Sequence, residues 1–350
     1  FPLKVQWENA GYCQALSDRA RGKTSEVLLL GMVMNKHYGT IIHYIRQDEK
    51  TITPYSMRDL FATLVECGYI EKLTDGEYHD VYYWGHKWYY CNYDENGKRT
   101  ETAPEHFMIC MHLGESDKRK SSYNCPRGDL IIFDEFIPQR GEIVKLSEGE
   151  LLLDCYMTIS RDRLERGKDP LKMILFANAE EISTPITNTL ELTDLIASLK
   201  TSHYYDDNRD ILIHHITNDE IPLKEVAKKG IYKGMYNTAW FDKSFGGDFS
   251  NNDFSNIQNI SLKNMSVMIE VIFRRKHYYI YYHPVKCIYY MTTSPGKAPY
   301  VYDLSRENDQ KKFYKDFGIT LRCALAESRF MFKKYSMYDL INNYKKYFKL

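Results

Sequence analysis

Apolar residues in the first part of the chain fall into short unbroken runs, which alternate with longer stretches of helical periodicity. Continuous apolar runs are typical of strands that a parallel sheet buries on both faces. The predicted strands are residues 12–16, 39–46, 107–113, 130–133, 173–177 and 211–214. The predicted helices are residues 25–35, 57–67 and 148–160. This alternation predicts an α/β fold, with a mostly parallel sheet and helices on both faces.

Two stretches interrupt the alternation. Residues 80–93 mix aromatic and turn residues, and Asn96-Gly97 closes a turn after them, so they predict an antiparallel insertion. Residues 219–247 are polar and predict a short helical linker, and the Asn- and Ser-rich residues 248–264 predict a loop.

The C-terminal part is rich in β-branched and aromatic residues. Its first three predicted strands are residues 265–273, 277–282 and 287–292. Their short connections predict antiparallel neighbours. After them come a predicted strand at 299–302, helices at 310–317 and 320–332, and a terminal helix from Ser336. This order is that of a ribonuclease-H-like α+β domain. The expected domains are residues 1–217, a linker at 218–252, and residues 253–350.

Composition and charge narrow the class of protein. The chain has 350 residues, with 47 Lys plus Arg and 47 Asp plus Glu, so it carries no net charge. Wholesale coating of nucleic acid is therefore not expected, although local basic patches stay open. Eight cysteines form no pair two residues apart and indicate reduced, structural thiols. Apolar runs are too short to span a membrane and no secretory signal opens the chain, so we expect a cytoplasmic protein without a membrane partner.

The apolar run at residues 130–133 ends in two adjacent acids, Asp134 and Glu135. Ligands of open α/β sheets collect outside the carboxyl ends of the strands. Two carboxylates at such a place need a positive partner, and hydrated Mg²⁺ is held by one or two carboxylates together with substrate phosphates. A strand that ends at a solvated acidic turn is the alternative.

A candidate phosphate-binding loop precedes these acids. It spans residues 17–24, lies between a predicted strand and a predicted helix, and ends in Gly22-Lys23-Thr24. Its backbone N–H groups would cradle phosphate, Lys23 would reach the β- and γ-phosphates, and the Thr24 hydroxyl would ligate Mg²⁺. Ser17 stands where the loop pattern has its first glycine, which questions the geometry because only glycine adopts positive φ without penalty. Together with the acids, the loop predicts binding of ATP and Mg²⁺.

Several of these stretches together resemble the DNA-packaging ATPases of phi29-like bacteriophages. The resemblance spans nearly the whole chain and is carried by residues 19–24, 130–135, 160–163, 176–179 and the three-strand meander. It implies a P-loop ATPase of the additional-strand, conserved-glutamate (ASCE) type that drives double-stranded DNA into a preformed capsid. It also implies a homopentameric ring, a portal protein and a capsid-bound structural RNA as partners, and a place in the host cytoplasm, transiently at the portal vertex.

The resemblance implies roles for residues around the nucleotide. Asp134 would hold Mg²⁺ through water, and Glu135 would polarise the attacking water as catalytic base. Asn178 ends the predicted strand at 173–177, where many P-loop ATPases place a sensor of the γ-phosphate; a turn or helix-capping asparagine is the alternative. Arg19 and Arg21 would either contact the γ-phosphate or point to solvent.

Two further cations would act on a neighbouring subunit. Arg161 matches the arginine finger of the family, although Arg163 and Arg166 lie close enough to compete for that assignment. Lys120 aligns best with a trans-acting lysine. A solvated basic face after a helix is the alternative for these arginines.

The C-terminal domain lacks the acid pattern of a nuclease. Two-metal cleavage needs several carboxylates that converge on metals. The candidates Glu270, Asp303 and Glu327 are scattered, so we expect a degenerate domain that grips DNA without cutting it. The proposed phosphate contacts are Arg274, Arg275, Lys276, Lys286 and Lys297. Turn residues that only make the surface soluble are the alternative.

The leading hypothesis is a ring motor that couples ATP hydrolysis to translocation of double-stranded DNA. A second is a terminase-type packaging ATPase whose C-terminal domain is an active nuclease. A third is a non-enzymatic binding module, with Ser17 as the sign of a decayed phosphate loop.

Overall fold

The computed structural model describes residues 3–17, 22–115, 128–137, 147–179, 181–199, 202–216, 231–235, 238, 241 and 252–342. The chain divides into two compact units. The N-terminal unit comprises Phe1–Glu181 and Leu199–Ser250, and the C-terminal unit comprises Ile182–Ser198 and Asn251–Leu350. The chain therefore enters the C-terminal unit first at residue 182 and again at residue 251. Most of the linker predicted at 218–252 lies outside the described residues.

The N-terminal unit contains a ten-stranded sheet in the order β3-β4-β6-β2-β7-β8-β1-β10-β9, with β5 paired to β4. Its strands are β1 Tyr12–Ser17, β2 Ile41–Arg46, β3 Asp80–Trp84, β4 Lys87–Tyr93, β5 Arg99–Thr102, β6 Met108–His112, β7 Gly128–Asp134, β8 Lys172–Asn178, β9 His203–Asp206 and β10 Ile211–His215. The run from β6 to β10 is parallel. Leu130 to Phe133 of β7 are fully buried, as their continuous apolar pattern predicts. The predicted α/β fold is confirmed.

The antiparallel strands lie at the two edges of this sheet. β3, β4 and β5 form the predicted insertion, and the turn predicted at Asn96-Gly97 lies between β4 and β5. β9, which the sequence pattern did not predict, pairs antiparallel with β10 at the other edge.

The helices of the N-terminal unit are α1 Lys4–Asn9, α2 Lys23–Tyr38, α3 Pro54–Met57, α4 Ala62–Glu66, α5 Tyr69–Leu73, α6 Glu148–Ser160 and α9 Ile231–Gly234. Helix α2 begins after Gly22 and ends at Gly39, both with positive φ. The helix predicted at 57–67 is wrong in extent: three short helices replace it, because Pro54 starts one and Gly68, with φ of 67°, starts another. No described helix has the length and apolar character needed to cross a membrane.

The C-terminal unit contains a five-stranded sheet in the order β14-β11-β12-β13-β15. Its strands are β11 Ser266–Phe273, β12 Lys276–His283, β13 Ile288–Thr292, β14 Tyr300–Asp303 and β15 Phe330–Phe332. The predicted antiparallel meander is β11-β12-β13, and β14 and β15 add parallel strands at its edges.

Helices of the C-terminal unit are α7 Pro185–Thr189, α8 Thr193–Ala197, α10 Glu307–Phe313, α11 Ile319–Ala326 and α12 Tyr335–Asn342, with a π-helical turn at Tyr314–Gly318 after α10. The helix predicted at 320–332 is wrong in its second half, which is strand β15. Ser328, with φ of 53°, follows the end of α11, and Phe330 and Phe332 are buried in the sheet. The sequence pattern also missed α7 and α8.

Candidate functional site

Four neighbouring parallel strands end at one edge of the N-terminal sheet. Strand β8 lies between β1 and β7, and β2 lies on the other side of β7. Ser17, at the end of β1, pairs with Asn178, at the end of β8, and Asp134 of β7 pairs with Phe176 of β8. The strand before the candidate phosphate-binding loop and the strand that ends in the two acids are thus separated by one further strand.

Lys23 connects two of these strand ends. Its Nζ lies 2.7 Å from the Ser17 Oγ and 3.3 Å from the Asn178 Oδ1. Ser17 is the last residue of β1 and does not have a positive φ, so this position does not need the freedom of glycine. Thr24 is half-buried in the first turn of α2. Arg19 and Arg21 lie outside the described residues.

The adjacent acids are held by two residues of β2 that the sequence analysis missed. The Oδ2 of Asp134 accepts hydrogen bonds from the Tyr44 hydroxyl at 2.5 Å and from Arg46 Nη1 at 2.7 Å. Arg46 Nη2 lies 2.7 Å from the Glu135 Oε2, so one guanidinium bridges both carboxylates. The sequence does show that a charged residue, Arg46, ends an apolar strand, which is typical of a residue at a ligand site. It does not show that this strand lies next to β7, and so Arg46 was not assigned to the acids.

Burial and charge act in opposite directions on these groups. The side chain of Asp134 is 5% exposed, and burial raises the pKa of its carboxyl, while Arg46 and Tyr44 lower it, with a net rise. Burial alone would lower the pKa of Arg46. The neighbouring Tyr44, Asp134 and Glu135 raise this pKa by more than burial lowers it, so the guanidinium stays charged. The positive charge that two adjacent acids require is supplied here by Arg46.

Glu135 has a left-handed backbone, with φ of 54°. This conformation costs a non-glycine residue about 1–3 kcal/mol and is concentrated at functional sites. Its N–H donates to the Phe176 carbonyl at 2.9 Å, which fixes the turn against β8. The side chain is 45% exposed, unlike that of Asp134, and is therefore accessible to a ligand.

The donor set suits Mg²⁺ bound together with a nucleotide. Among the described residues no group of three or more His, Cys, Asp or Glu could hold a metal ion by itself. Mg²⁺ in phosphate sites needs only one or two protein oxygens, because substrate phosphates and water complete its shell. The Asp134 carboxylate and the Thr24 hydroxyl are hard oxygen ligands of this kind, so the residues fit the ion.

The three arginines that follow α6 have different environments. Arg163 is buried; its Nη1 lies 2.5 Å from the Asp129 Oδ1, and its Nε donates to the Asp169 carbonyl at 3.0 Å. Arg166 lies 3.8 Å from Asp162 within its own turn. Arg161 is exposed and has no partner among the residues that the structure describes. Arg161 and Arg166 are therefore both exposed enough to reach another molecule, whereas Arg163 is not. Lys120 lies outside the described residues.

The proposed DNA contacts of the C-terminal unit are all exposed. Arg274 and Arg275 form the tight turn between β11 and β12, with φ of 48° and 64°. Lys276 follows them, and its Nζ lies 2.7 Å from the Glu191 Oε1. Lys286 contributes to an open cavity of about 560 Å³ that has no acid in its lining. The lining residues are Asn259, Ile260, Ser261, Lys263, Asn264, Met265, His283, Lys286 and Ile288.

The acids of the C-terminal unit have partners of their own. The Glu270 Oε1 lies 2.7 Å from His277 Nδ1 and 3.3 Å from the Tyr279 hydroxyl. Asp303 pairs with Arg306 at 3.2 Å. Glu327 pairs with Arg329. The described part of this unit therefore has no set of converging carboxylates like that of a two-metal nuclease.

Comparisons with known proteins find the same fold in two packaging motors. A chain of the bacteriophage Phi-29 viral genome packaging motor assembly matches with a TM-score of 0.68 and 15% identity, covering 99% of this chain and 98% of that chain. The Phi-28 gp11 DNA packaging motor matches with a TM-score of 0.64 and 13% identity, covering 100% of this chain and 97% of that chain. No protein-family model and no curated protein matches the sequence. At these identities the likeness shows the fold alone.

Proposed function

We propose that this protein is an ATPase that drives double-stranded DNA into a viral capsid. The observation that carries the proposal is the hydrogen bond of Lys23 to Asn178 at the end of β8, next to the Asp134–Glu135 pair at the end of the adjacent strand β7. Ligands of open α/β sheets bind at this edge. The fold shared with two packaging motors over their full length supports the choice of substrate.

Each residue of the site would have a separate role in ATP hydrolysis. The Lys23 ammonium would hold the terminal phosphates, exchanging its contacts with Ser17 and Asn178 for phosphate oxygens. Asp134 and Thr24 would hold Mg²⁺, which neutralises charge that develops on the phosphates. Glu135 would take the proton of the attacking water, a role that requires its carboxylate within hydrogen-bond reach of that water.

The bond between Arg46 and Glu135 would oppose this role of Glu135. A carboxylate that accepts a charge-assisted hydrogen bond from a guanidinium is held in one direction. Activation would therefore require the bond between Arg46 and Glu135 to open. The exposure of the Glu135 side chain is consistent with such movement.

A second subunit would complete the site. Arg161 is exposed and has no partner among the described residues, Arg166 is exposed but pairs with Asp162, and Arg163 is buried in contacts within its own chain. A cation supplied in trans stabilises the charge of the transition state. We therefore propose a ring of identical subunits, a pentamer by resemblance, with Arg161 as its trans-acting finger and Lys120 as a second trans-acting cation.

The C-terminal unit would hold DNA without cutting it. Its exposed Arg274 and Arg275 and the acid-free cavity beside Lys286 suit the phosphates of a nucleic-acid backbone. Lys276 and Lys297 would add to this surface. A portal protein and a capsid-bound RNA would be further partners. An active nuclease is disfavoured because the described acids pair with His277, Arg306 and Arg329 instead of converging.

The test compares Glu135→Gln with the parent protein in ATP hydrolysis, with and without double-stranded DNA and empty capsids. Loss of a general base lowers turnover by about 10²–10⁴-fold. The matched control is Glu150→Gln, an exposed acid of helix α6. Equal turnover by Glu135→Gln and the parent would remove Glu135 from the mechanism. A parent protein that neither binds nor hydrolyses ATP, even with capsids, would refute the proposed function.

A further inference from the structure

Tyr44 places one polar atom in the core beside the nucleotide site. Its side chain is fully buried, in the cluster that also contains Leu28 and Met32 of α2 and Ile132 of β7. The hydroxyl lies 2.5 Å from the Asp134 Oδ2. A buried tyrosine hydroxyl needs a hydrogen-bond partner, and a phenylalanine would fill the same space without one.

The direction of this hydrogen bond is fixed by its neighbours. Arg46 Nη1 lies 3.4 Å from the Tyr44 oxygen and can only donate. The Asp134 carboxylate, when ionised, can only accept. The Tyr44 hydroxyl therefore accepts from Arg46 and donates its proton to Asp134, so that the three groups form a chain with one polarity.

The two hydrogen-bond donors to Asp134, Arg46 and Tyr44, differ in how easily each can break its bond to the carboxylate. Arg46 is 19% exposed and shares its charge with Glu135, so it can move when the acids gain another cation. Tyr44 cannot leave Asp134 without opening the core. Only the Tyr44 hydrogen bond can thus persist through a cycle in which Arg46 releases the acids.

We infer that Tyr44 is a positioning residue for the nucleotide's divalent cation, an inference that rests on the proposed function. By occupying Oδ2 of Asp134, it fixes the carboxylate and leaves Oδ1, which has no hydrogen-bond partner among the described residues, for the cation or its water. Partners that orient a metal ligand contribute about 10–100-fold to metal affinity. Tyr44 touches neither substrate nor water in this role and acts only through Asp134.

The experiment measures binding of a non-hydrolysable ATP analogue to the full-length chain over a series of Mg²⁺ concentrations. We expect Tyr44→Phe to raise the Mg²⁺ concentration for half-maximal binding by about 10–100-fold and to leave metal-free binding of the analogue unchanged. The matched control is Tyr83→Phe, which removes a hydroxyl that donates to the Ile52 carbonyl at 2.6 Å. This control should not change the Mg²⁺ dependence.

A double-mutant cycle separates positioning from a general loss of structure. In the Asp134→Asn background, Tyr44→Phe should change the Mg²⁺ dependence no further, because the side chain through which it acts is already altered. If Tyr44→Phe does not fold, 3-fluorotyrosine at position 44 keeps the hydroxyl and alters its strength as a donor, and the Mg²⁺ dependence should still shift.

The outcomes are distinct. An unchanged Mg²⁺ dependence in Tyr44→Phe, or in the fluorotyrosine protein if that is the one measured, overturns the inference while the proposed function stands. An equal shift in Tyr44→Phe and Tyr83→Phe overturns it as well. A parent protein whose analogue binding ignores Mg²⁺ instead refutes the proposed metal-dependent ATPase.

Discussion

Arg46 is the residue on which control of the proposed catalytic base, Glu135, would depend. Its two guanidinium nitrogens each lie 2.7 Å from a different carboxylate, a geometry that lysine cannot reproduce because its ammonium is a single point of charge. Arg46→Lys therefore keeps the positive charge beside Asp134 but releases Glu135. A charge-assisted hydrogen bond contributes about 1.5–3 kcal/mol. Its loss corresponds to roughly tenfold or more in rate.

We predict that Arg46→Lys hydrolyses ATP faster than the parent in the absence of DNA and shows less stimulation by DNA. The measurement is the ratio of steady-state turnover with and without double-stranded DNA. Arg99→Lys is the control, since Arg99 is an exposed arginine that stacks on Tyr82 within the edge strands. An unaltered ratio in Arg46→Lys would contradict the idea that Arg46 restrains Glu135.

His43 makes stability depend on pH. It is fully buried, and burial, followed by the nearby charges of His106 and Arg163, lowers its pKa from 6.5 to about 3. Between these values the unfolded chain takes up a proton that the folded chain does not, so stability falls as the pH is lowered through this range. The contribution of His43 should reach about 2 kcal/mol between pH 7.5 and 5. Denaturant unfolding at both pH values should show a smaller loss for His43→Gln than for the parent; an equal loss would refute the prediction.

Of the residues in the candidate site, the sequence predicted those that belong to motifs of residues close together along the chain. Lys23 and Thr24 follow Gly22 within one loop, and Glu135 follows Asp134, so their proximity did not depend on the fold. Arg46 and Tyr44 lie on β2 and contact the acids at the end of the neighbouring strand β7. Nothing in the chain states that β2 lies beside β7, because the order of strands in a sheet follows from the packing of whole elements.

At the scale of elements, the turn after α6 contains two arginines in opposite environments: Arg163 is buried and Arg161 is exposed. Arg163 joins this turn to Asp129 near the start of β7 and is buried. Arg161 points to solvent. Breaking a buried ion pair by removing one partner costs about 3–5 kcal/mol, whereas truncation of an unpartnered exposed side chain costs little.

We predict that Arg163→Ala lowers the free energy of unfolding by about 3–5 kcal/mol, and that Arg161→Ala leaves it unchanged. Conversely, Arg161→Ala should abolish most ATP turnover of the assembled ring, since a trans-acting arginine contributes about 10³–10⁵-fold. Denaturant unfolding and turnover on capsids measure the two effects. Loss of stability in Arg161→Ala with full turnover would exchange the two assignments.

The elements that the sequence pattern missed share a physical cause. Helices α7 and α8 have five residues each, too few for a clear helical period. Tertiary contacts hold them instead: the Asp194 Oδ1 accepts from the N–H of Ser336, 2.9 Å away, at the start of α12. Strand β15 was mistaken for helix because it has only three residues, all of them apolar, and so short an apolar run does not distinguish a strand from a helix when its pairing is unknown.

In the whole molecule, the chain passes from the end of β8, at Asn178, to the C-terminal unit within a few residues. The chain enters that unit at residue 182, four residues after Asn178, and returns at residue 199. Within this excursion, Glu191 pairs with Lys276, beside the turn formed by Arg274 and Arg275. Asn178, the proposed sensor of the γ-phosphate, and Glu191, which pairs with the proposed DNA contact Lys276, are therefore separated by only a short segment of chain.

The acid and DNA should compete for Lys276. A phosphate contact releases condensed counterions, so each such contact steepens the fall of log affinity with log salt by about 0.9. The ion pair between Glu191 and Lys276 is half-exposed, and exposed pairs contribute only about 0.2–1 kcal/mol, so DNA can displace it. Removing the acid frees Lys276 and also removes one negative charge from the surface proposed to bind DNA.

We predict that Glu191→Gln tightens binding of a short DNA duplex several-fold at low salt and makes the salt dependence steeper, by up to about 0.9. Lys276→Gln should act in the opposite sense. Glu307→Gln is the control, because Glu307 pairs with Lys311 at the same distance of 2.7 Å on helix α10 of the same unit. If Glu191→Gln and Glu307→Gln change DNA affinity equally, only net charge matters and Lys276 is not a specific contact. If neither changes it, DNA does not bind beside the β11–β12 turn.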